Sequence, residues 1–360
     1  MKFTLIKAYV RKAIAFLLLL GIGGCIPPQS PLTSSTPSSN TNDGINLIAL
    51  LLVRKNNLKN EYRAEIYPIA LLLNGHYLEV SEDVTRDLKE NSIPDITPDR
   101  LIQLNEKRII VNAVQSFTVV SNDQELGNFQ VEKPIISQFF CSSLITGQGH
   151  FQGQTPLSAI FEQIPEEQTS QFKGTARNQT FDESWRTAIA LNHLPSPLAQ
   201  PPVVSQAEES EYRQAALQVG KDVIGRLVDG QSLPGEAVVE TIQVLDLNRD
   251  GTPEIFANIK QGSRIDENAS QSTNPTGFAT LWLTYKSGNP QLLETIQASA
   301  SATGIQRSPH YEFLGSVDMT GDGIEEVLMK RTDYEYTVFE IYEYKNNRLN
   351  RVFNGAGFGC

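Results

Sequence analysis

The apolar run at residues 45–53 is strand-length, too short to cross a bilayer as a helix. Apolar residues at 69–73 and 76–80 flank Asn74-Gly75, a pair that supplies the positive φ angles of a tight hairpin turn. Pro68, just ahead, has no N–H to give a ladder and suits an edge strand or a strand start. Residues 108–120 and 126–131, separated by the turn Ser121-Asn122-Asp123-Gln124, predict a second strand pair. Short stretches at 83–88 and 97–104 read as helical turns, and 156–163 and 182–191 as brief helices. This first region, 45–194, is therefore α+β with mostly antiparallel strands.

Pro195, Pro197, Pro201 and Pro202 mark the best internal boundary. A helix start follows. Ser205 accepts from the third helical N–H while Glu208 reaches back to the cap, so Ser205-Gln-Ala-Glu208 is a capping box. Tyr212, Ala216, Val219, Val223 and Leu227 recur at helical spacing and predict a core-facing seam, with Gly230 able to end the helix. Residues 195–230 thus form a Pro-rich linker plus an amphipathic helix.

From 231 to 360 the pattern repeats. In each copy a strand enters an acidic loop (241–245; 313–317), a strand leaves it (255–259; 327–330), and a hairpin follows (279–285 with 292–296; 336–344 with 349–353). The polar segment 261–277 of the first copy reads as a surface loop. Each copy is a four-stranded unit carrying one acidic loop. The pair either stacks on the N-terminal strands or forms a small two-sheet domain.

The two loops are Asp246-Leu-Asn248-Arg-Asp250-Gly251-Thr252-Pro-Glu254 and Asp318-Met-Thr320-Gly-Asp322-Gly323-Ile324-Glu-Glu326. Oxygen-bearing side chains fall at positions 1, 3, 5 and 9, with Gly at 6. Alternate residues of a tight loop converge, and converging carbonyl and carboxylate oxygens suit a hard cation such as Ca²⁺. An EF-hand would need an acid at position 12 and a following helix; Ala257 and Met329 stand there, before strand-like residues. The same loops also suit plain hairpin turns with solvated acids, but two copies with one spacing favour the cation. They resemble the calcium loops of FG-GAP/VCBS-type repeats, found in integrin-like propellers and many bacterial surface proteins. That resemblance implies two ligand sets. The first is Asp246, Asn248, Asp250, the carbonyl of Thr252, and Glu254. The second is Asp318, Thr320, Asp322, the carbonyl of Ile324, and Glu326. An ion there would have a structural role, removing the repulsion among gathered carboxylates.

The beginning of the chain changes the picture of where it works. Lys2, Lys7, Arg11 and Lys12 precede an apolar run at 13–22, which ends at Ile22-Gly23-Gly24-Cys25. This order resembles the signal peptide and lipobox of bacterial lipoproteins. It implies removal of residues 1–24 and lipid on Cys25. Residues 25–44, rich in Pro, Ser, Thr and Asn, read as a flexible tether. The expected location is the bacterial cell envelope, lipid-anchored, on the periplasmic face of the outer membrane or at the cell surface. Ile26 lacks the Asp associated with inner-membrane retention in some bacteria.

Losing the four N-terminal cations takes the formal net charge from −11 to −15. Such an acidic chain disfavours nucleic acid and anionic headgroups as partners. Cys141 and Cys360 remain as an even pair, either bridged or two separate thiols. His76, His150, His193 and His310 match no zinc pattern, and no nucleophile elbow or Walker A loop occurs. The expected function is a non-catalytic binding or scaffold module of the envelope, with a protein or glycan partner. The alternative is an envelope hydrolase acting on glycan or peptide, with the repeats as an accessory region.

Overall fold

In the computed structural model the described residues are 46–73, 75–80, 116–122, 124–139, 142–166, 169–176, 179–194, 198, 202–228, 233, 235–262, 276–286, 288–301, 309–333 and 336–359. The fold is mostly antiparallel β. Residues 44–360 make one compact unit. The helical turns expected at 83–88 and 97–104, the first part of the strand expected from 108, Gly230 and most of the loop at 261–277 lie outside the described residues.

The first region supplies β1 (Asn46–Asn56), β2 (Glu61–Leu73), β3 (His76–Glu79), β4 (Ser116–Ser121), β5 (Gln124–Phe139), β6 (Ser142–Phe151), α1 (Leu157–Gln163), β7 (Thr169–Ala176) and β8 (Gln179–Leu191). The sheet runs β1-β2-β6-β5-β4-β8, and β8 pairs again with β1, closing a ring of six strands. β3 is added to β2 and β7 to β8. Inside the ring, Leu47, Ala49, Leu51 and Val53 meet Ile66, Phe117, Val119, Phe129, Phe151, Ala188 and Ala190. Ile160 and Phe161 of α1 join that cluster.

The intervening residues of β1, Ile48, Leu50 and Leu52, point the other way, into a second cluster. A strand buried on both faces needs apolar side chains at every position, which is why 47–53 reads as an unbroken run. Residues 182–191 follow the same logic. They belong to β8 and not to the helix expected from sequence, with Ala188 and Ala190 inside the ring and Ile189 and Leu191 outside it. Two-sided burial erased the alternation that would have marked a strand. Pro68 also departs from expectation. It sits within β2, where the register against β1 slips by one residue, a bulge that tolerates its missing N–H.

After the capping box at Ser205, present as expected, α2 (Gln206–Leu227) covers one sheet. That sheet is a meander of β9 (Ala237–Leu245), β10 (Glu254–Gly262), β11 (Thr276–Lys286) and β12 (Asn289–Ser301). A second meander follows: β13 (His310–Val317), β14 (Glu326–Thr332), β15 (Tyr336–Lys345) and β16 (Arg348–Gly359).

Their clusters set the layer order. Ala216 and Ile224 of α2 pack on Ile255, Ala257, Ile259 and Leu281. Phe256 and Trp282 of the first meander pack on Phe313, Val327, Met329 and Tyr342 of the second. Leu328, Phe339, Ile341 and Phe358 of the second pack on Leu50, Tyr67 and Trp185 of the ring. The layers are therefore helix, sheet, sheet and barrel wall. Leu227 of the expected seam is exposed. Of the two arrangements open from sequence, the structure has the meanders stacked on the N-terminal strands.

Candidate metal sites in two acidic loops

Each acidic loop connects the first two strands of its meander, β9 to β10 and β13 to β14. Turning sharply enough needs left-handed backbone at two places, and both loops provide it at positions 4 and 6. The φ values are 57° at Arg249 and 79° at Gly251, against 78° at Gly321 and 89° at Gly323. Gly at position 6 adopts this without cost, whereas Arg249 holds a conformation that most side chains avoid.

The hydrogen bonds match position by position. Asp246 accepts from the N–H of Asp250 and of Gly251, each at 3.0 Å. Asp318 accepts from Asp322 at 3.1 Å and Gly323 at 3.0 Å. Position 5 accepts from position 7: Thr252 N–H to Asp250 at 2.7 Å, Ile324 N–H to Asp322 at 2.9 Å. Position 9 reaches back to position 2: Leu247 N–H to Glu254 at 2.9 Å, Met319 N–H to Glu326 at 2.6 Å. The loops differ at position 3. Asn248 donates to Asp250 at 3.1 Å, whereas Thr320 donates to Glu326 at 3.1 Å.

Glu254 and Glu326 are each only 1% exposed. Burial pushes the Glu254 carboxyl up to about 7, with Asp246 and Asp250 adding to the rise against the Leu247 N–H. Burial likewise pushes Glu326 up to about 7, helped by Asp322 and Asp318 against the Met319 and Thr320 bonds. Cationic side chains stand at the rim: Lys286 acts on Asp250, and Arg249 lies 3.9 Å from Glu325. Asp250 is held below its ordinary value, first by the Thr252 N–H.

Residues outside the two motifs complete the surroundings. Tyr344, from β15, donates its hydroxyl to Asn347 at 3.4 Å and stands beside the first loop; that hydroxyl is pushed up to about 12 by burial and then by Glu254 and Asp250. Tyr77, from β3, faces the second loop in the same way. Its hydroxyl is raised by burial and then by Glu326, Glu343, Asp322 and Asp318. That hydroxyl is buried with no hydrogen-bond partner among the described residues. Each loop is thus overlaid by a tyrosine of the next layer. Sequence reasoning missed both tyrosines, because the layer order that brings them in is long-range. Glu325 was missed as well, although its place before Glu326 could have drawn notice. Ser316 donates to it at 2.5 Å.

Among the described residues no three His, Cys, Asp or Glu side chains stand as a ready metal cluster. The loop carboxylates are turned to backbone N–H groups. The donor chemistry nevertheless fits a hard cation. An ionised carboxylate has about four lone-pair sites, so Asp246, with two N–H bonds, and Asp318, with three from Gly321, Asp322 and Gly323, both keep acceptor capacity. The buried position-9 carboxyl, driven toward its neutral form beside two aspartates, and the orphaned Tyr77 hydroxyl are features a bound cation would relieve.

All four histidines are exposed, and His150 lies 2.9 Å from Glu132. Cys25, Cys141 and Cys360 are outside the described residues, as is the whole of 1–45. Among the described residues no helix is long and apolar enough to cross a membrane. Compared with protein-family models, curated proteins and solved structures, the chain matches none.

Proposed function

We propose that this chain is a non-catalytic binding or scaffold module of the bacterial cell envelope, tethered by lipid on Cys25 and stiffened by Ca²⁺ in its two acidic loops. The observation that carries this reading is the shared hydrogen-bond pattern of the loops, each built around a buried carboxyl at about 7. Asp246, Asn248, Asp250, the Thr252 carbonyl and Glu254 would hold one ion. Asp318, Thr320, Asp322, the Ile324 carbonyl and Glu326 would hold the other. Each ion supplies positive charge that keeps the position-9 carboxylate ionised while buried. Stiff loops on stacked sheets make a preorganised surface for a protein or glycan partner. The acidic net charge disfavours nucleic acid.

The test is thermal unfolding of residues 44–360, the compact unit, in EDTA and in Ca²⁺. At about a hundred times its dissociation constant, a ligand of the folded state adds about 2.7 kcal/mol, several degrees in midpoint. Asp250→Ala and Asp322→Ala each remove part of that gain. A wild-type midpoint unmoved by Ca²⁺ would sink the metal reading. The anchor is tested separately, by fatty-acid labelling of the full chain in bacteria, which Cys25→Ala abolishes.

A further inference from the structure

Where α2 begins, three segments of the chain bound a cavity of about 200 Å³. Val203 and Val204 come from the stretch leading into the helix, and Glu208 and Tyr212 from its first turns. Val244, Asp246 and Pro253 come from β9 and the first acidic loop. Tyr285 braces helix and loop against each other. Its N–H donates to the Pro253 carbonyl at 3.2 Å, and its ring meets the Tyr212 ring edge-on, with centroids 5.1 Å apart. Its hydroxyl donates to Glu211, also on α2.

The charge of the cavity is one-sided. Glu208 and Asp246 line it, and among its described lining residues there is no Lys or Arg. Glu208 takes the Ser205 N–H at 2.9 Å and the Ser205 hydroxyl at 2.6 Å, both on Oε2, which leaves Oε1 for a cation. Those bonds hold its carboxyl below the ordinary value, so it stays charged. Asp246 takes one N–H on each oxygen and keeps acceptor capacity. The other walls are valine, proline and an aromatic ring. An occupant that suits both parts has an aliphatic stem and a cationic head, the form of a lysine or arginine side chain. A tyrosine ring adds attraction for the cation. A neutral or acidic occupant would take water from the two carboxylates and return no charge.

We propose that this cavity receives a lysine or arginine side chain from a basic segment of a partner protein. Glu208 and Asp246 pair the cationic head, while Val204, Tyr212 and Pro253 hold the stem. This rests on the binding-module reading, whose partner it names, and it needs no ion in the first loop. The acidic net charge of the chain draws such a segment in from a distance.

The experiment is fluorescence anisotropy on the full chain in neutral detergent, with EDTA and about 0.1 M salt. The probe is a labelled peptide of alternating glycine and lysine, and a glycine–norleucine peptide is the neutral control. Three variants each change the charge by the same single step. Glu208→Gln keeps a residue that serves in a capping box, and Val203 is fully exposed, so Val203→Lys disturbs no packing. Asp222→Asn lies about four turns further along α2, about 21 Å away and beyond the Debye length of about 10 Å. The lysine peptide is expected to bind more tightly than the neutral one. Glu208→Gln and Val203→Lys should each weaken it about three- to fivefold, and Asp222→Asn should leave it unchanged. Equal binding of the two peptides, no binding at all, or the same response in all three variants overturns the proposal. A protein that melts higher in Ca²⁺ yet fails to bind the peptide keeps the calcium reading and loses this one.

Discussion

The backbone N–H of Glu325 donates to the Leu247 carbonyl at 2.9 Å, fastening the second acidic loop to the second residue of the first. Leu247 gives its own N–H to Glu254, and Glu326, the residue after Glu325, takes the N–H of Met319. Two buried carboxyls are therefore linked through one shared stretch of backbone. Their charge states matter to the whole junction between the meanders.

The first prediction concerns pH. Glu254 and Glu326 have folded-state values near 7, above the ordinary carboxyl value of 4.5. A raised folded value means the folded state holds its proton longer. That contribution to stability is complete below about 4.5 and is lost as pH rises through about 7. Metal-free protein is thus expected to lose stability between pH 5 and 8, by up to about 3 kcal/mol per group. Glu254→Gln and Glu326→Gln should each flatten this slope in EDTA, and should weaken Ca²⁺ binding. Urea midpoints against pH provide the check. A slope unchanged in both variants would show that burial of these carboxyls does not set it.

A lanthanide offers a second test. Tb³⁺ takes the same oxygen donors as Ca²⁺ and emits when a nearby tyrosine passes on its excitation. Tyr344 lies against Glu254, and Tyr77 stands near Glu326, Asp322 and Asp318. Tyr344→Phe is expected to remove the emission of the first loop, Tyr77→Phe that of the second, and the pair most of the total. Emission undiminished by the double substitution would mean the ion sits elsewhere.

Much of this was legible beforehand, for reasons particular residues make plain. Ser205 and Glu208 announce the start of α2 because a capping box is a purely local arrangement. Asp246 and Asp318 mark their loops because the spacing of acids and Gly fixes a local turn. The barrel was not legible. Its closure rests on β1 pairing with β8, strands more than a hundred residues apart in sequence, and no local pattern encodes that pairing. The same distance hid β8, whose two faces meet different cores, and it hid Tyr77 and Tyr344, which reach the loops only once the layers stack.

Glu340 provides a test away from the loops. Its carboxylate is fully buried, and it accepts from Arg331 at 2.8 Å, Arg351 at 3.0 Å and the Tyr342 hydroxyl at 2.5 Å. Removing one member of a buried ionic group costs about 3–5 kcal/mol when its partners are left dry. Arg351 is half-exposed and can return to water. Glu340→Ala should therefore cost nearer 2–3 kcal/mol in urea unfolding, equally in EDTA and in Ca²⁺. A loss that appears only with Ca²⁺ would tie this network to the loops instead.

The contact of α2 with the first meander separates propensity from packing within one helix. Gly220 and Gly225 are both helical, so replacing either by Ala raises helix propensity by up to about 1 kcal/mol. Their surroundings differ. A Cβ on Gly225 meets nothing within 4 Å, whereas one on Gly220 would lie 2.7 Å from Ile259 Cγ1 and 2.9 Å from its Cβ and Cγ2. Ile259 is buried and its Cβ cannot swing away, so the helix itself must lift from the sheet. Overpacking of this kind costs about 1–3 kcal/mol, which outweighs the propensity gain. Gly225→Ala is expected to stabilise by a few tenths to 1 kcal/mol, and Gly220→Ala to destabilise by about 1 kcal/mol. Chemical denaturation of the two variants side by side decides it. Equal stabilisation by both would mean that α2 does not press on Ile259 at all, and the outermost layer of the fold would have to be redrawn.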